Sequence, residues 1–344
     1  MKVAIHNGAG WNVEWINYVR LNNIPHIIVD CYASNIMHTL LENNITHLMW
    51  HFSHNLPIDI FMARNVLTSA EHSGIKVFPS STSAWHFDDK VSQKYLLESI
   101  KAPLVPSYVF YEMKTALDWA SKTDYPKVAK LRRGAGSYNV RLIKSHADAV
   151  RYIKQMFGPG LNPSPGYLAD AKTKIKVAGG LSGIIKRLKK APRFFQMVRR
   201  SRKGFPKERG YVYFQDFIPN NECDYRVIVV NHKAFGLKRK VREGDFRASG
   251  GGMFDYSDID ESVINIAKVT ASHLDMSSVA FDFVLMDGRP LIVEISYGFG
   301  TEGAGQVNTY WDSNNTKISG KVNAPLEIIE GFLPCRRDEV LNAI

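Results

Sequence analysis

Residues 280–296 read Ala-Phe-Asp-Phe-Val-Leu-Met-Asp-Gly-Arg-Pro-Leu-Ile-Val-Glu-Ile-Ser. Two apolar runs flank Asp287-Gly288, a dipeptide typical of tight hairpin turns, so this stretch predicts two antiparallel strands. Each strand carries one carboxylate, Asp282 and Glu294, among apolar residues. Because burying an unpaired carboxylate is costly, the pair indicates a bound cation. Mg²⁺ is commonly held by one or two carboxylates plus substrate phosphates.

The register of this hairpin decides whether the two carboxylates meet. A two-residue loop would place Asp282 opposite Val293 and would turn Glu294 to the other face of the sheet. A loop with an odd number of residues, three or five, pairs Asp282 with Glu294. We predict the odd loop, which also places Ser296 on the face of Glu294. The competing interpretation is two carboxylates at a sheet edge that face water.

A second candidate element lies upstream, where Lys130 ends an apolar strand. Residues 131–140 then read Leu-Arg-Arg-Gly-Ala-Gly-Ser-Tyr-Asn-Val. An ammonium beside the free N–H groups of a Gly-rich turn suits phosphate binding. The turn is not the nucleotide P-loop, because no Gly-Lys-Ser/Thr follows it. Taken alone, a hairpin tip without a ligand is the simpler interpretation.

Composition and charge limit the class of protein. The chain has 344 residues with 45% hydrophobic and 22% charged content, as expected of a globular protein with two or three subdomains. The net charge is +11, but residues 186–209 hold eleven basic residues and one acid and so account for +10 of it. The remainder is nearly neutral, which disfavours nucleic acid as the partner.

Targeting signals and cysteines point to the cytoplasm. The sequence contains no run of apolar residues long enough to cross a membrane, and its start lacks the apolar core of a signal peptide. Cys31, Cys223 and Cys335 are far apart and form neither a disulfide framework nor a metal-ligand pattern. We expect a cytoplasmic protein.

Residues 1–85 alternate short apolar runs with amphipathic stretches, which predicts a small parallel α/β layer. A helix is predicted from about Asp88 to Ile100, and it ends before a Pro-containing segment. Strands dominate from 210 onward, with one helix near 259–273.

Three further stretches complete the pattern. They are Tyr-Phe-Gln-Asp-Phe-Ile-Pro at 213–219, Asn-Glu-Cys-Asp-Tyr-Arg-Val-Ile-Val-Val at 221–230, and Gly-Leu-Lys-Arg-Lys-Val-Arg-Glu-Gly-Asp-Phe-Arg-Ala-Ser-Gly-Gly-Gly at 236–252. Together with the carboxylate pair, their order and spacing resemble the ATP-grasp superfamily, nearest to the RimK-type glutamate ligases and related to the D-alanine–D-alanine ligases. The resemblance covers roughly residues 86–300, interrupted by the basic segment.

The resemblance implies an α/β (α+β) ATP-grasp fold. Its expected parts are an N-terminal pre-ATP-grasp domain at 1–85, a small lid subdomain at 86–170, a basic amphipathic insertion at 171–209, and a C-terminal subdomain with the metal site at 210–344. The two ATP-grasp subdomains would clamp ATP between them.

The resemblance also implies a nucleotide site. Lys90 and Lys130 match the two ATP-binding lysines, residues 133–139 match the loop that closes over the triphosphate, and Asp224 would hold the ribose. Four residues match the hinge whose backbone grips the adenine: Gln215, Asp216, Phe217 and Ile218. The implied nucleotide-binding residues are Lys90, Lys130, Gly134, Ala135, Gly136, Ser137, Gln215, Asp216, Phe217, Ile218, Asp224, Arg226, Lys238 and Arg247.

The catalytic residues implied by the resemblance are Lys130, Arg247 and Ser249, with Arg247 facing the transferring γ-phosphate. Asp282, Glu294 and Ser296 match metal ligands for two Mg²⁺ ions, for which Mn²⁺ could substitute. The family pattern is Glu-x-Asn, whereas this chain has Glu294-Ile-Ser296, so the second metal is expected to bind more loosely.

The activity implied is ATP-dependent joining of a carboxylate to an amine through an acyl phosphate, with release of ADP and phosphate. A homo-oligomer is compatible with the sequence. An alternative is an ATP-grasp protein that uses a non-amine nucleophile or stops at phosphorylation. Neither small-molecule substrate is named by the sequence.

Other interpretations compete at two places. Gly8-Ala-Gly10 with Asp30 partly matches a dinucleotide fingerprint, but Val13 stands where its third glycine should be. We expect this turn to face the substrate cleft instead. His51 and His54 follow the third strand, where ligands gather in open α/β sheets, although histidines there are more often structural.

The basic segment has three interpretations. Apolar residues of 181–198 lie at helical spacing beside the basic ones, which indicates an amphipathic insertion packed on the ATP-binding unit. The segment could instead dock an acidic or lipid-linked substrate, such as a surface-saccharide precursor, at the inner membrane face. Binding of an anionic membrane or nucleic acid through 181–207 is the alternative of another functional class.

Overall fold

A computed structural model describes residues 1–54, 57–134, 139–163, 206–241 and 252–334. Three sheets organise these residues. Elements are numbered along the described part of the chain. None of the helices there is long and apolar enough to cross a membrane.

The N-terminal layer is a parallel four-stranded sheet, as the alternation of apolar and amphipathic segments predicts. Its strand order is β2-β1-β3-β4. The strands are β1 Val3–His6, β2 His26–Val29, β3 His47–Met49 and β4 Lys76–Phe78; the helices are α1 Trp11–Leu21, α2 Ile36–Glu42, α3 Pro57–His72 and α4 Ser81–Ala84.

Helix α5, Lys90–Ser99, leads from this layer into the second sheet. Asp89 caps it by accepting a hydrogen bond from the Ser92 amide at 3.1 Å. The second sheet has the order β5-β8-β6-β7, and all its pairs are antiparallel. Its elements are β5 Ser107–Phe110, α6 Met113–Ala120, β6 Lys127–Lys130, β7 Val140–Ile143, α7 His146–Phe157 and β8 Val212–Asp216.

The second sheet departs from the predicted domain boundary. Strand β8 lies within the predicted 210–344 subdomain, yet it pairs with both β5 and β6. The sheet is therefore assembled from two stretches separated by the basic segment. Its apolar core is separate from that of the rest of the molecule and is built around Tyr152, Ile153 and Phe214.

The third sheet carries the predicted hairpin. Its order is β13-β12-β9-β10-β14-β15, with β11 on β10. The strands are β9 Cys223–Val230, β10 Lys233–Lys240, β11 Phe254–Asp255, β12 Ser278–Met286, β13 Arg289–Ser296, β14 Thr309–Trp311 and β15 Lys317–Ser319; the helices are α8 Glu261–His273, α9 Thr301–Ala304 and α10 Ala324–Phe332.

The third sheet and the N-terminal layer share one apolar core. Buried hydrogen bonds also join them: Trp15 Nε1 donates to the Pro325 carbonyl at 2.8 Å, and the Tyr297 hydroxyl donates to the Phe52 carbonyl at 2.6 Å. The N-terminal domain is thereby held against the end of strand β13, where the candidate metal ligands lie.

The hairpin corrects one sequence prediction and confirms another. Met286 pairs with Arg289, so the loop has two residues and the predicted odd loop is wrong. Asp282 nevertheless pairs with Glu294, because the register shifts between Asp282 and Phe283. Val293 is the extra residue of a β-bulge, which restores the pairing that the two-residue turn would otherwise prevent.

Gly288 holds the turn with a left-handed backbone, φ +77°, and a Cβ there would meet no atom within 4 Å. Gly288→Ala should therefore lower the free energy of unfolding by roughly 1 kcal/mol through backbone strain alone. Gly300→Ala is the control, since that position is equally open but has φ −72°. Thermal unfolding should show the larger loss in Gly288→Ala; equal losses would contradict this explanation.

Candidate active site

Two carboxylates of the third sheet lie side by side on one face. Asp282 on β12 is opposite Glu294 on β13 and opposite Arg226 on β9. Arg226 binds Asp282 through two hydrogen bonds, Nε to Oδ1 at 2.8 Å and Nη2 to Oδ2 at 2.9 Å. The predicted metal-binding carboxylates are thus brought together, and one of them already has a bidentate cationic partner.

Arg239 on β10 extends this arrangement into a network. Its guanidinium lies 2.8 Å from Asp282 Oδ2, and its Nε donates to Asp224 Oδ1 at 2.6 Å. Burial acts to raise the pKa of Asp282, but Arg226 and Arg239 outweigh it and hold the pKa below the usual range. Burial raises the pKa of Asp224 in spite of Arg239. Asp224, predicted to hold the ribose, is thus engaged by an arginine.

The two predicted ATP-binding lysines enter the same region from different elements. Lys90, at the start of α5, places its ammonium 3.0 Å from Glu294 Oε1 and donates to the Gly134 carbonyl at 2.8 Å. Lys130, at the end of β6, donates to Gln215 Oε1 at 2.6 Å. Both lysines are buried, with 5% of each side chain exposed.

Burial has opposite outcomes for the two lysines. Desolvation acts to lower the pKa of Lys90, but Glu294 and Asp88 outweigh it, so the pKa lies above its ordinary value. For Lys130, burial lowers the pKa to about 8, and the charge of Glu294 acts in the opposite direction without cancelling it. The Lys130 ammonium is therefore a buried cation that a bound phosphate would stabilise.

The Gly-rich loop begins against helix α5. Gly134 has φ +118°, and a Cβ there would lie 2.0 Å from Asn139 Nδ2, so only glycine fits. Its amide donates to Asp88 Oδ1 at 3.0 Å. Arg132, two residues earlier, donates from Nε to Asp89 Oδ2 at 2.7 Å. The predicted ligands Ala135, Gly136 and Ser137 lie outside the described residues, as do Arg247 and Ser249.

The predicted hinge runs through the end of β8. Gln215 is buried and donates to the Ser107 hydroxyl at 3.0 Å while it accepts from Lys130. Asp216 is paired with Lys127 at 2.6 Å. Phe217 and Ile218 follow directly after the strand and are half-buried. These residues connect the second sheet to the third, as a hinge position requires.

Lys238 is not brought to this site. It pairs with Tyr225 in the ladder, one residue away from Arg239, and so lies on the opposite face of the sheet. Its ammonium donates to the Ser257 hydroxyl at 2.9 Å. The structure places the other described candidates on the side of Asp282 and Glu294 or at the lid.

The donor set fits a hard cation only in part. Ser296 donates its hydroxyl proton to the Gly298 carbonyl at 2.5 Å, which leaves its oxygen lone pairs for other partners. Among the described residues, no three His, Cys, Asp or Glu side chains group closely enough to hold a metal. Two adjacent carboxylates do suit Mg²⁺ that also takes phosphate oxygens, provided Lys90 and Arg226 share Glu294 and Asp282.

The N-terminal domain reaches the same region through His51. Its ring stacks on Trp11 with centroids 4.1 Å apart, and its Nδ1 and Nε2 would lie 3.3 Å from a Cβ at Gly10 and Gly298 respectively. Burial lowers the pKa of His51 to about 4, so it is neutral. The Gly10 turn therefore meets the segment after Ser296, consistent with the expected orientation toward the cleft.

Asp88 was not among the predicted site residues. It directly precedes the helix cap Asp89, so its carboxylate is not needed to start α5. The available sequence signal was the Asp-Asp-Lys tripeptide at 88–90, in which helix capping explains only one aspartate. Its left-handed backbone, φ +52°, is visible only in the structure.

Comparison with known proteins finds one family model that matches part of the chain. Residues 200–313 match the family model of the RimK-like ATP-grasp domain. No curated protein sequence matches the chain.

Among solved structures, the chain is similar to a biotin carboxylase from Campylobacter jejuni complexed with β-γ-ATP, at TM-score 0.57 and 11% identity over 97% of this chain and 72% of that one. It is similar to the D-cycloserine synthetase DcsG, at TM-score 0.54 and 12% identity over 96% and 98%. A RimK domain ATP-grasp protein from Sphaerobacter thermophilus gives TM-score 0.50 and 12% identity over 86% and 89%. At identities this low, the structural similarity shows a shared fold alone.

Proposed function

We propose that this chain joins a carboxylate to an amine through an acyl phosphate. The chain has the ATP-grasp fold, and its residues 200–313 match the RimK-like ATP-grasp domain, in agreement with the sequence prediction. ATP and Mg²⁺ are the cofactors of ATP-grasp ligases, and this chain has the ATP-grasp α+β architecture. The acyl phosphate and the identity of both substrates are the proposed part.

One contact carries the proposal. The Lys90 ammonium touches Glu294 on the third sheet and the Gly134 carbonyl in the loop of the second sheet. A single cation therefore joins the candidate metal ligands to the phosphate loop. A cluster of cations and oxygen acceptors of this kind suits a site that binds a polyphosphate together with its metal ion.

The described residues have distinct tasks in phosphoryl transfer. Lys90 and Lys130 bind phosphate oxygens, and Asp282 and Glu294 hold Mg²⁺, which when bound offsets the charge that develops on the transferring phosphoryl group. Arg226 and Arg239 orient Asp282 and keep it ionised. Positioning and electrostatics of this kind supply most of the acceleration of phosphoryl transfer.

The second half of the reaction requires exclusion of water, because an acyl phosphate hydrolyses readily. The second sheet has its own core, so it can move as a unit over the third sheet. The loop that begins at Gly134 would then cover the phosphates. Arg247 and Ser249 are proposed, from the resemblance alone, to contact the γ-phosphate. An amine that attacks the acyl carbon gives the amide.

The function is tested by an ADP-release screen with paired acids and amines and mass detection of products. The acids are alanine, glutamate and glucuronate, and the amines are glycinamide, ethanolamine and glucosamine. ADP and phosphate should appear with at least one acid, and an amide with one pair. No ADP release with any pair, together with no ATP binding, would refute the ligase.

The substrate class is proposed from charge. The +10 of residues 186–209 suits an acidic or lipid-linked substrate at the inner membrane face. Most of this segment lies outside the described residues. The protein should sediment with anionic liposomes and not with neutral ones, and deletion of 181–207 should abolish the difference. If the deleted protein sedimented with anionic liposomes to the same extent as the wild type, this docking role would be refuted.

A further inference from the structure

Glu208 is a buried carboxylate near the end of the basic insertion, and only 7% of the residue is exposed. Its backbone and that of Leu161 exchange two hydrogen bonds, each 2.9 Å long, which bring together the chain before the insertion and its last residues. Gly160 permits this pairing, since its φ is +70° and a Cβ there would lie 2.7 Å from the Glu208 carbonyl oxygen. The backbone bonds hold this junction, and they do not require a carboxylate at position 208.

Both oxygens of the Glu208 carboxylate face the segment that precedes the phosphate loop. Oε2 accepts from the Tyr211 hydroxyl at 3.0 Å, and that hydroxyl accepts from the Arg132 amide at 2.6 Å. Oε1 lies 3.7 Å from the Arg133 guanidinium. Arg132 and Arg133 come directly before Gly134, where the loop begins. The junction of the basic insertion is thus connected to the phosphate loop through a tyrosine hydroxyl and an ion pair.

The other side of the same segment contacts Lys90. The Lys90 amide donates to the Arg132 carbonyl at 3.0 Å, and the Lys90 ammonium donates to the Gly134 carbonyl at 2.8 Å. The same ammonium lies 3.0 Å from Glu294 Oε1. Arg132 is therefore fixed through its amide by Tyr211 and through its carbonyl by Lys90, and the two bonds together set the position from which the loop starts.

A buried carboxylate is an expensive way to stabilise a junction, because apolar residues of similar volume are often as stabilising as a buried ion pair or more so. Burial raises the pKa of Glu208, while the charge of Arg133 and the hydrogen bond from Tyr211 act against that rise. A carboxylate supplies an acceptor, which an apolar side chain does not. With its proton directed to Glu208, the Tyr211 hydroxyl presents its oxygen lone pairs to the Arg132 amide.

We infer that Tyr211 and Glu208 are positioning residues for the phosphate loop. Glu208 orients the Tyr211 hydroxyl, and this hydroxyl holds the backbone at Arg132, so that the loop and the Lys90 ammonium are aligned to bind the outer phosphates of ATP. The inference rests on the proposed ligase function and deepens it. It also ties the junction of the basic insertion to the nucleotide site.

The test compares two nucleotides in the full-length protein, with Kd measured by isothermal titration calorimetry. Tyr211→Phe removes only the hydroxyl. It should weaken MgATP binding about tenfold, because a loop that is no longer held in place must be ordered when the phosphates bind. AMP lacks the two outer phosphates, so its Kd should not change. General damage to the site would weaken both nucleotides, which separates positioning from a merely structural role.

Tyr125→Phe is the matched control. The Tyr125 hydroxyl donates to the Ala120 carbonyl at 2.7 Å, before the start of β6 and so at the opposite end of this strand from Lys130. The substitution removes the same atom and a hydrogen bond to the backbone. It should lower the Tm and leave the Kd of both nucleotides unchanged.

Glu208→Met tests whether the carboxylate acts through the hydroxyl, since methionine keeps much of the side-chain volume and supplies no carboxylate. It should also weaken MgATP and not AMP. The double variant with Tyr211→Phe should bind MgATP no more weakly than the weaker single variant, because both residues act through one contact.

Unchanged MgATP affinity in Tyr211→Phe would overturn the inference, and so would equal weakening of MgATP and AMP. Additive losses in the double variant would overturn the action of Glu208 through Tyr211. Wild-type protein that binds neither nucleotide would instead remove the proposed function itself, and this inference with it.

Discussion

Glu294→Gln is expected to lower kcat/KM for ATP by on the order of 10³-fold, because the amide can neither hold Mg²⁺ as a carboxylate does nor pair with Lys90. Glu294 is the point where the candidate metal site meets the phosphate site, since Lys90 lies 3.0 Å from it. The measurement is ATP turnover against Mg²⁺ concentration. The variant should need more Mg²⁺ as well as turning over more slowly.

Glu98→Gln is the control for Glu294→Gln. It removes the same charge near the end of α5, where Glu98 is exposed and pairs with Lys94, a lysine that is not among the candidate site residues. It should retain wild-type turnover and Mg²⁺ dependence. If Glu294→Gln behaved like Glu98→Gln, the assignment of Glu294 as a metal ligand would be wrong.

Lys130→Met is expected to lower kcat/KM by roughly 10²- to 10³-fold, since it removes a buried cation from the site of developing phosphate charge. In the wild type, ATP affinity should weaken as pH rises above 8, because burial lowers the Lys130 pKa to about 8 and the neutral amine loses its attraction for phosphate. Lys130→Met should bind ATP weakly with no such dependence on pH. Titration of Kd from pH 7 to 9 measures this.

The same pKa has a consequence for stability. A lysine whose folded pKa is below the unfolded value of 10.5 binds fewer protons when folded, so its contribution to the free energy of unfolding rises with pH between about 8 and 10.5.

The exposed control Lys122→Met should keep the wild-type dependence of ATP binding on pH. A wild-type Kd that does not change across pH 8 would contradict the role of Lys130.

The parts of the fold governed by local pattern were predictable. Strand and helix alternation in residues 1–85 predicted the parallel layer, and the Asp287-Gly288 turn predicted the hairpin. The bulge at Val293 was not predictable, because no residue type marks a bulge in an apolar strand. The predicted pairing of Asp282 with Glu294 is therefore correct, although the predicted loop length is wrong.

Long-range assembly was less accessible from sequence. Strand β8, Val212–Asp216, enters the second sheet between β5 and β6, although the basic segment separates it from them in sequence. The arginine network around Asp282 depends on the register of β9 and β10, which no single stretch determines. Asp88 was not predicted as a site residue, because its neighbour Asp89 already accounts for the start of α5.

The central claim is the acyl phosphate, and isotope transfer tests it most directly. An acid that supports ADP release is supplied with ¹⁸O in its carboxylate, and the released phosphate is examined by mass spectrometry. Attack of the carboxylate on the γ-phosphorus predicts one ¹⁸O in each phosphate released with ADP. Unlabelled phosphate, or release of AMP and pyrophosphate, would contradict it.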